Sequence, residues 1–184
     1  MNINNKRVDF DGPTILLHWL IATLVFSLFF VGIWMVELGY YDPWYHLGRW
    51  WHKGLGVLVM TLLLLRWLWQ SFHAKTVSLL VVGSWQDKLS CSLHHFMNIL
   101  VVLIGVSGYI IVTAKGQSLL VFDWFSIPAL WQGIANLEDW AGEAHCYLAY
   151  GLMGFVVVHI LAALKHHFVD KDAVLLRIFG RNKE

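Results

Sequence analysis

Charged residues are scarce in this sequence. Asp, Glu, Lys and Arg make up 14% of the 184 residues, while 58% are hydrophobic. A water-soluble globule of this size could not cover its surface with so few charges, which excludes the soluble globular classes. The formal net charge of +1 also gives no basic surface for nucleic acid, so we predict no such partner. We expect the lipid bilayer to be the solvent of the chain.

Long apolar runs are what the sequence has instead. A membrane-spanning helix needs roughly 20 predominantly apolar residues. Four segments qualify, at about residues 14–38, 50–70, 92–113 and 143–167. They fill most of the chain, so we predict a single membrane domain over residues 1–184 that folds as an all-α, integral membrane four-helix bundle.

The connections between the spans differ in character. Residues 39–49 form a short predicted outer loop, and residues 71–91 form a polar one on the other side. The long connection 114–142 contains Pro128 and Gly133 among aromatic and aliphatic residues. We expect it to lie along the outer membrane surface, with a short amphipathic helix around residues 128–140.

Lysine and arginine are unevenly distributed between the two sides. One side holds only Arg49, Lys53 and Lys115. The other side holds the remaining ten: Lys6, Arg7, Arg66, Lys75, Lys88, Lys165, Lys171, Arg177, Arg181 and Lys183. By the positive-inside rule the richer side faces the cytoplasm. We therefore predict that the N and C termini are both cytoplasmic, which an even number of spans requires.

Cysteine is nearly absent, with Cys91 and Cys146 as its two occurrences. They fall at opposite ends of the third and fourth predicted spans, too far apart for a disulfide. No C-x-x-C-H motif is present, which excludes covalent attachment of a c-type haem. The first span has no cleavage site of small residues before Glu37 and is longer than a signal-peptide core, so we expect it to be retained.

Histidine, by contrast, is abundant, with ten in the chain. Ionisable residues inside membrane spans are rare and usually functional. His145 and His159 lie fourteen residues apart on the fourth span. At 3.6 residues per turn this is nearly four turns, so both side chains leave the same helix face about 21 Å apart along the axis. One helix thus offers one ligand near each membrane surface.

Each of these histidines has a potential partner at matching depth on another span. Near the outer surface it is His52 for His145. Near the cytoplasmic surface it is His18 for His159, with His94 or His95 as alternatives. Two opposed imidazoles are the axial ligand set of a b-type haem, so the pattern predicts two non-covalent haems stacked across the membrane. With both axial positions occupied, we expect electron relay and no catalytic residue.

Other interpretations of these histidines exist. A single intramembrane histidine often only bonds a hydroxyl or carbonyl of a neighbouring helix. Zinc would need a third and fourth ligand, and Glu143 and Cys146 are predicted to point away from the His145 face. A chain with histidines along a pathway could also be a metal or proton transporter, which is an alternative of another class.

Three further polar residues are candidates for the haem and substrate sites. Lys53 follows His52 and would pair with a haem propionate or attract an anionic donor, although a lysine snorkelling to the interface would lie there too. Arg66 is a propionate partner or a positive-inside anchor. His166 follows His159 by seven residues on the same face and would donate to a quinone, or belong to a basic interfacial patch.

Several motifs resemble those of the bacterial cytochrome b561 family, four-helix dihaem cytochromes related to the b-type cytochrome subunits of nickel hydrogenases. The resemblance covers nearly the whole chain. It rests on LLHWL around His18, WHKGLG around His52, GVSGYI in the third span, EAHCYLAYGLMGFVVVHILAALKHHFVDKD around His145 and His159, and the closing LLRIFG.

The resemblance implies two haem b groups with His18, His52, His145 and His159 as iron ligands. It favours His18 over His94 as the partner of His159 and leaves His94 to a propionate or a quinone. It also implies a multi-pass protein of the bacterial inner membrane that moves single electrons between an outer donor, superoxide in some relatives, and ubiquinone. The alternative within the family is a haem-carrying membrane anchor that accepts electrons from a partner redox protein.

Overall fold

The computed structural model describes residues 11–72, 85–131, 133–171 and 174–180. Four long helices dominate it: α1 Gly12–Glu37, α2 Pro43–Phe72, α3 Trp85–Thr113 and α4 Leu137–Phe168. A short helix, α5 Val174–Ile178, follows, and two strands, β1 Leu119–Val121 and β2 Phe125–Ile127, pair between α3 and α4. All four long helices have the length and apolar composition to cross a membrane. The predicted all-α, four-helix membrane fold is confirmed.

We name the two ends of the bundle by what lies there. The hairpin end carries the β1–β2 hairpin and the start of α4, and the terminal end carries Asp11 and α5. Several residues of the charge count lie outside the described residues or have side chains that are not described: Lys6, Arg7, Lys75, Arg177, Arg181 and Lys183. The cytoplasmic location of the termini stays a prediction.

The helices extend beyond the predicted spans. Most of the predicted loop 39–49 belongs to α2, which begins at Pro43. Asp42 precedes it, and its carboxylate accepts a hydrogen bond from the Trp44 backbone N–H at 2.8 Å. Proline fits the first helical position because its missing N–H would have no helical partner there, and Asp stabilises the exposed N–H groups of the first turn. The Asp-Pro pair therefore starts the helix seven residues before the predicted span.

The predicted helix around residues 128–140 is wrong. The connection forms the β1–β2 hairpin instead, and α4 begins only at Leu137. Tyr109 of α3 holds the segment after β2 in a non-helical path. Its hydroxyl donates to the Pro128 carbonyl at 2.6 Å and accepts from the Leu130 N–H at 3.2 Å. Contacts with the bundle thus decide the conformation of this connection.

The hairpin tip has an unusual backbone. Phe122 and Asp123 have φ of 49° and 59°, a region that side-chain-bearing residues seldom occupy. The Phe122 ring lies so close to Gly54 of α2 that a Cβ there would be 2.5 Å from it. The Asp123 carboxylate accepts from the Trp50 indole N–H at 2.9 Å. These contacts with α2 hold the strained turn in place.

Packing joins the four helices in two pairs. α1 packs mainly on α2, and α3 mainly on α4, where Leu100, Leu152 and Val156 form the buried core cluster. Between α2 and α3, Gly105 lies very close to the Met60 side chain. A small residue lets two membrane helices approach closely, which strengthens their dispersion contacts. Gly105 therefore allows the close approach of α3 to Met60.

Replacing Gly105 with Ala should destabilise the bundle by about 1–3 kcal/mol, the usual cost of overpacking, because the new Cβ would overlap Met60. Thermal unfolding in detergent, compared with the wild type, measures this. Gly151→Ala on α4 is the matched control, since a Cβ there meets nothing within 4 Å. In a Met60→Ala background the same Gly105→Ala change should cost less, which a double-mutant cycle measures. Equal stability of the Gly105 and Gly151 variants would contradict the contact.

Candidate functional site

The predicted histidines lie in two groups, one at each end of the bundle. At the hairpin end, His52 of α2 and His145 of α4 have neighbouring rings. At the terminal end, His18 of α1 and His159 of α4 lie within electrostatic range of each other, of His94 and of Arg66. The four predicted ligands are half-buried. The structure thus brings His52 next to His145, as depth pairs them in the sequence, and at the terminal end it gathers His18, His94 and His159 in one group.

The spacing of the hairpin-end rings fits a metal between them. Their centroids are 6.1 Å apart and their planes cross at 66°. Two imidazole nitrogens opposed on one first-row metal, each about 2 Å from it, hold the ring centroids roughly 6 Å apart. A direct N–H···N hydrogen bond between the two rings would bring the centroids closer, to roughly 5 Å, while edge-to-face packing of two rings also spans the observed distance. This geometry therefore suits bis-histidine ligation of one iron atom.

The Nδ1 atom of His145 is hydrogen-bonded to the backbone of α3. It lies 3.0 Å from the Ile104 carbonyl and 3.2 Å from the Ser107 hydroxyl oxygen, while that hydroxyl donates to the same carbonyl at 2.9 Å. The carbonyl can only accept, so the proton sits on Nδ1 and the Nε2 lone pair is left for a metal. Such a bond fixes the tautomer and the ring orientation of metal-binding histidines.

Sequence reasoning missed Ser107 and Ile104. Ser107 lies within the GVSGYI motif, which the structure explains residue by residue. Gly105 meets Met60, Ser107 bonds His145, Gly108 lies beneath the His145 ring, and Tyr109 anchors the outer connection. A hydroxyl between two glycines in an apolar span was the available signal, but its partner depends on how α3 is rotated against α4.

The Nδ1 atom of His52 faces α1 in a similar way but differs in its bonding. It is buried and has no hydrogen-bond partner among the described residues. The Leu28 carbonyl points toward it without reaching hydrogen-bond geometry. Gly32, one turn further along α1, lies against the same ring edge, where a Cβ would be 3.2 Å from Cε1. Here too Nε2 is left as the free ligand atom.

At the terminal end, His94 packs directly on His159. Their ring centroids are 4.9 Å apart in an edge-to-face arrangement, and the His94 Nδ1 lies 2.8 Å from the Ser90 carbonyl of its own helix. This ring separation is shorter than the roughly 6 Å of two imidazoles opposed on one metal. The geometry therefore gives His94 a place beside the His159 ring rather than opposite it.

The neighbourhood of His18 includes the C-terminal helix. Trp19, whose ring meets the His18 ring edge-on at 5.4 Å, donates its indole N–H to the Ile178 carbonyl at 3.0 Å. It also stacks on Phe179 at 5.0 Å. α5 thereby packs on the start of α1 beside His18. α5 is a helix of five residues.

Three other candidates from the sequence lie outside the two ring groups. Lys53 is half-buried beside His52, and within the described residues its ammonium has no hydrogen bond or ion pair. His95 is exposed and turns toward the Cys91 carbonyl on its own helix. His166 lies at the end of α4 with its Nδ1 3.0 Å from the Asp170 carboxylate. The Lys165 ammonium also bonds this carboxylate, which lowers the pKa of Asp170.

The described residues offer no cluster typical of zinc. Nowhere in the described part of the chain do three His, Cys, Asp or Glu side chains converge as a metal-binding group. Glu143 and Cys146 are exposed on α4. A structural zinc site takes four such ligands and a catalytic one three. The two-imidazole arrangement at the hairpin end fits haem iron, which needs only two axial ligands from the protein.

The model of the prokaryotic cytochrome b561 family matches residues 9–181 of this chain. The chain belongs to this family. Cytochrome b561 homolog 2 of Escherichia coli (strain K12) is 39% identical over 182 residues, which cover 99% of this chain and 97% of that protein. A protein of Yersinia pestis named probable superoxide oxidase CybB is 28% identical over 178 residues, 91% of this chain and 93% of the relative.

Membership in this family indicates what the protein does. Cytochromes b561 bind b-type haem and transfer electrons in the membrane, and this chain does so as a multi-pass bacterial membrane protein. Among the described residues, the two ring groups hold the half-buried histidines that the sequence predicts as ligands.

Proposed function

We propose that this cytochrome b561 carries two b-type haems, one held by His52 and His145 and the other by His18 and His159. In this proposal the chain lies in the bacterial inner membrane and passes single electrons from a donor at the hairpin end to a quinone at the terminal end. The observation that supports it most directly is the 6.1 Å separation of the His52 and His145 rings. It matches two imidazoles opposed on one metal.

The terminal-end assignment has weaker geometric support. His159 lies on the same face of α4 as His145, about 21 Å along the axis, so one helix supplies one ligand to each site. His18 shares an electrostatic neighbourhood with His159, while His94 packs too closely on His159 to be its opposed partner. We therefore assign His18 as the second ligand and His94 to the surroundings of the site.

The protein residues position the ligands and exclude other chemistry. When bound, haem supplies a one-electron couple between ferric and ferrous iron. With two histidines as its protein ligands, the iron would keep no open position for oxygen, which would restrict each site to electron transfer. Ser107 and the Ile104 carbonyl hold the His145 proton on Nδ1, and the apolar helix faces keep bulk water away.

We assign the electron donor and the electron acceptor from the charged and polar side chains at each end of the bundle. If the termini are cytoplasmic, the hairpin end faces outward, and Lys53 beside His52 gives it a positive charge that suits an anionic donor. The name of the Yersinia pestis relative supports superoxide as that donor. At the terminal end, Arg66 is a hydrogen-bond donor near His159 that suits a quinone carbonyl or a haem propionate. His94 donates its Nδ1–H to the Ser90 carbonyl, so its Nε2 can accept from the hydroxyl of a reduced quinone.

The test is the absorption spectrum and haem content of the purified chain. We expect reduced-minus-oxidised b-type bands and two haems per polypeptide. Absence of these bands would favour a transporter with histidines along its pathway. Superoxide generated in solution should then reduce the haems, and superoxide dismutase should abolish the reduction. A two-haem protein inert to superoxide would overturn the donor assignment and favour an anchor that needs a partner redox protein.

A further inference from the structure

The His52 ring packs against α1 and the His145 ring packs against α3, and the two rings make the same kind of contact. In each case the Nδ1 edge of the ring faces a backbone carbonyl and a glycine four residues later: Leu28 and Gly32 on α1 for His52, Ile104 and Gly108 on α3 for His145. Four residues are about one helical turn, so carbonyl and glycine lie on the same face. We call each pair a carbonyl–glycine seat.

The two seats have nearly the same dimensions. A Cβ on Gly32 would lie 3.2 Å from the His52 Cε1, and a Cβ on Gly108 would lie 3.2 Å from the His145 Cε1. Carbon atoms in favourable contact are about 3.5–4.0 Å apart, so even a methyl group would displace either ring. Other glycines of the same helices as the histidines, Gly56 on α2 and Gly142 on α4, have nothing within 4 Å of such a Cβ.

We propose that Gly32 and Gly108 are positioning residues that set the rotation of the two imidazole planes. This inference rests on the proposed function, since it concerns the haem assigned to His52 and His145. The planes cross at 66°. The π orbitals of crossed imidazoles act on two different iron d orbitals, whereas those of parallel imidazoles act on one. The crossing angle therefore determines how far these d orbitals split and how anisotropic the ferric EPR signal is.

The seats differ in one respect that makes the proposal testable. His145 is bonded to the Ile104 carbonyl and the Ser107 hydroxyl, whereas His52 has a buried Nδ1 without a partner among the described residues. A methyl group on Gly32 would rotate a ring that has no hydrogen bond to lose. A methyl group on Gly108 would push the ring from its acceptors. That change weakens the hydrogen bond which raises the basicity of the ligand.

The experiment compares Gly32→Ala and Gly108→Ala with the controls Gly56→Ala and Gly142→Ala in the purified holoprotein. Haem content, ferric EPR and redox titration are measured on each. We expect both seat variants to shift the low-field EPR signal of the hairpin-end haem and leave that of the terminal-end haem unchanged. Gly108→Ala should also move one midpoint potential to more positive values, because a less basic imidazole stabilises ferric iron less.

Two outcomes would overturn the proposal. One is wild-type EPR signals and potentials in both seat variants at full haem content. The other is an equal shift in the control variants. If Gly108→Ala does not bind haem, Gly32→Ala decides the question, and an unchanged EPR signal in that variant at full haem content would overturn the proposal. A wild-type protein without two haems would instead refute the proposed function.

Discussion

Replacing either histidine of the hairpin-end pair, in His52→Ala or His145→Ala, should leave one haem per chain instead of two. Each variant removes one of the two imidazoles whose rings lie 6.1 Å apart. In the described residues no third His, Cys, Asp or Glu side chain completes a metal-binding group there. The ratio of haem to polypeptide in purified protein measures this, and the terminal-end haem should keep its own spectrum and potential.

His46→Ala is the matched control for these variants. His46 lies on α2, less than two turns before His52, but is exposed and contacts only the rings of Tyr40 and Tyr45 among the described aromatic side chains. Its removal should leave both haems bound. Two haems retained in His52→Ala would show that another residue supplies the ligand. Loss of both in every variant would point to collapse of the bundle, which the His46 control would separate from ligand loss.

At the terminal end, His18→Ala should lose one haem and His94→Ala should retain both. The His94 ring lies 4.9 Å from the His159 ring, too close for the two to be opposed on one iron. His18 is the remaining histidine of that group on a different helix. Haem content again measures the result, and His159→Ala should reproduce the loss seen in His18→Ala.

His95→Ala serves as control, because His95 is the sequence neighbour of His94 but turns outward to the Cys91 carbonyl. Its haem content should equal that of the wild type. A one-haem His94→Ala protein beside a two-haem His18→Ala protein would reverse the assignment. His94→Ala should instead change the interaction with quinone, seen as slower reoxidation of the reduced haems by a quinone analogue.

The sequence was sufficient for the helices and for the grouping of His52 with His145, and at the other end it left His18, His94 and His95 as alternative partners of His159. Apolar runs of at least 20 residues have few folding options in a bilayer, since every backbone group must be bonded within the segment. The fourteen-residue spacing of His145 and His159 places them on one helix face whatever the neighbours do. The sequence also indicates the start of α2, because Asp42 followed by Pro43 is typical of a helix N-terminus. The hydropathy pattern alone placed the start of the span at about residue 50.

The hairpin could not be predicted, because tertiary contacts override its local sequence. Its turn uses Phe122 and Asp123 at positive φ, where Asn and Gly are the usual residues. The conformation is stable because the Phe122 ring fills the space above Gly54 and the Trp50 indole bonds Asp123. Both partners lie some seventy positions away in the chain, so no local pattern indicates them.

The residues that surround the histidines could not be predicted from the sequence for a related reason. Ile104, Leu28 and Gly32 act through backbone atoms or through the lack of a side chain, and such roles carry no chemical signature. They become visible only when the rotation of α1 against α2, and of α3 against α4, is known.

The pairing of α1 with α2 and of α3 with α4 bears on how the protein is assembled. Each pair is an antiparallel unit whose helices pack more extensively on each other than on the other pair, and the Gly105–Met60 contact lies between the two units. The proposed ligand sets each draw one histidine from the first unit and one from the second. Each bound haem would then link the two units, so we expect haem binding to strengthen the joining of the two halves of the bundle.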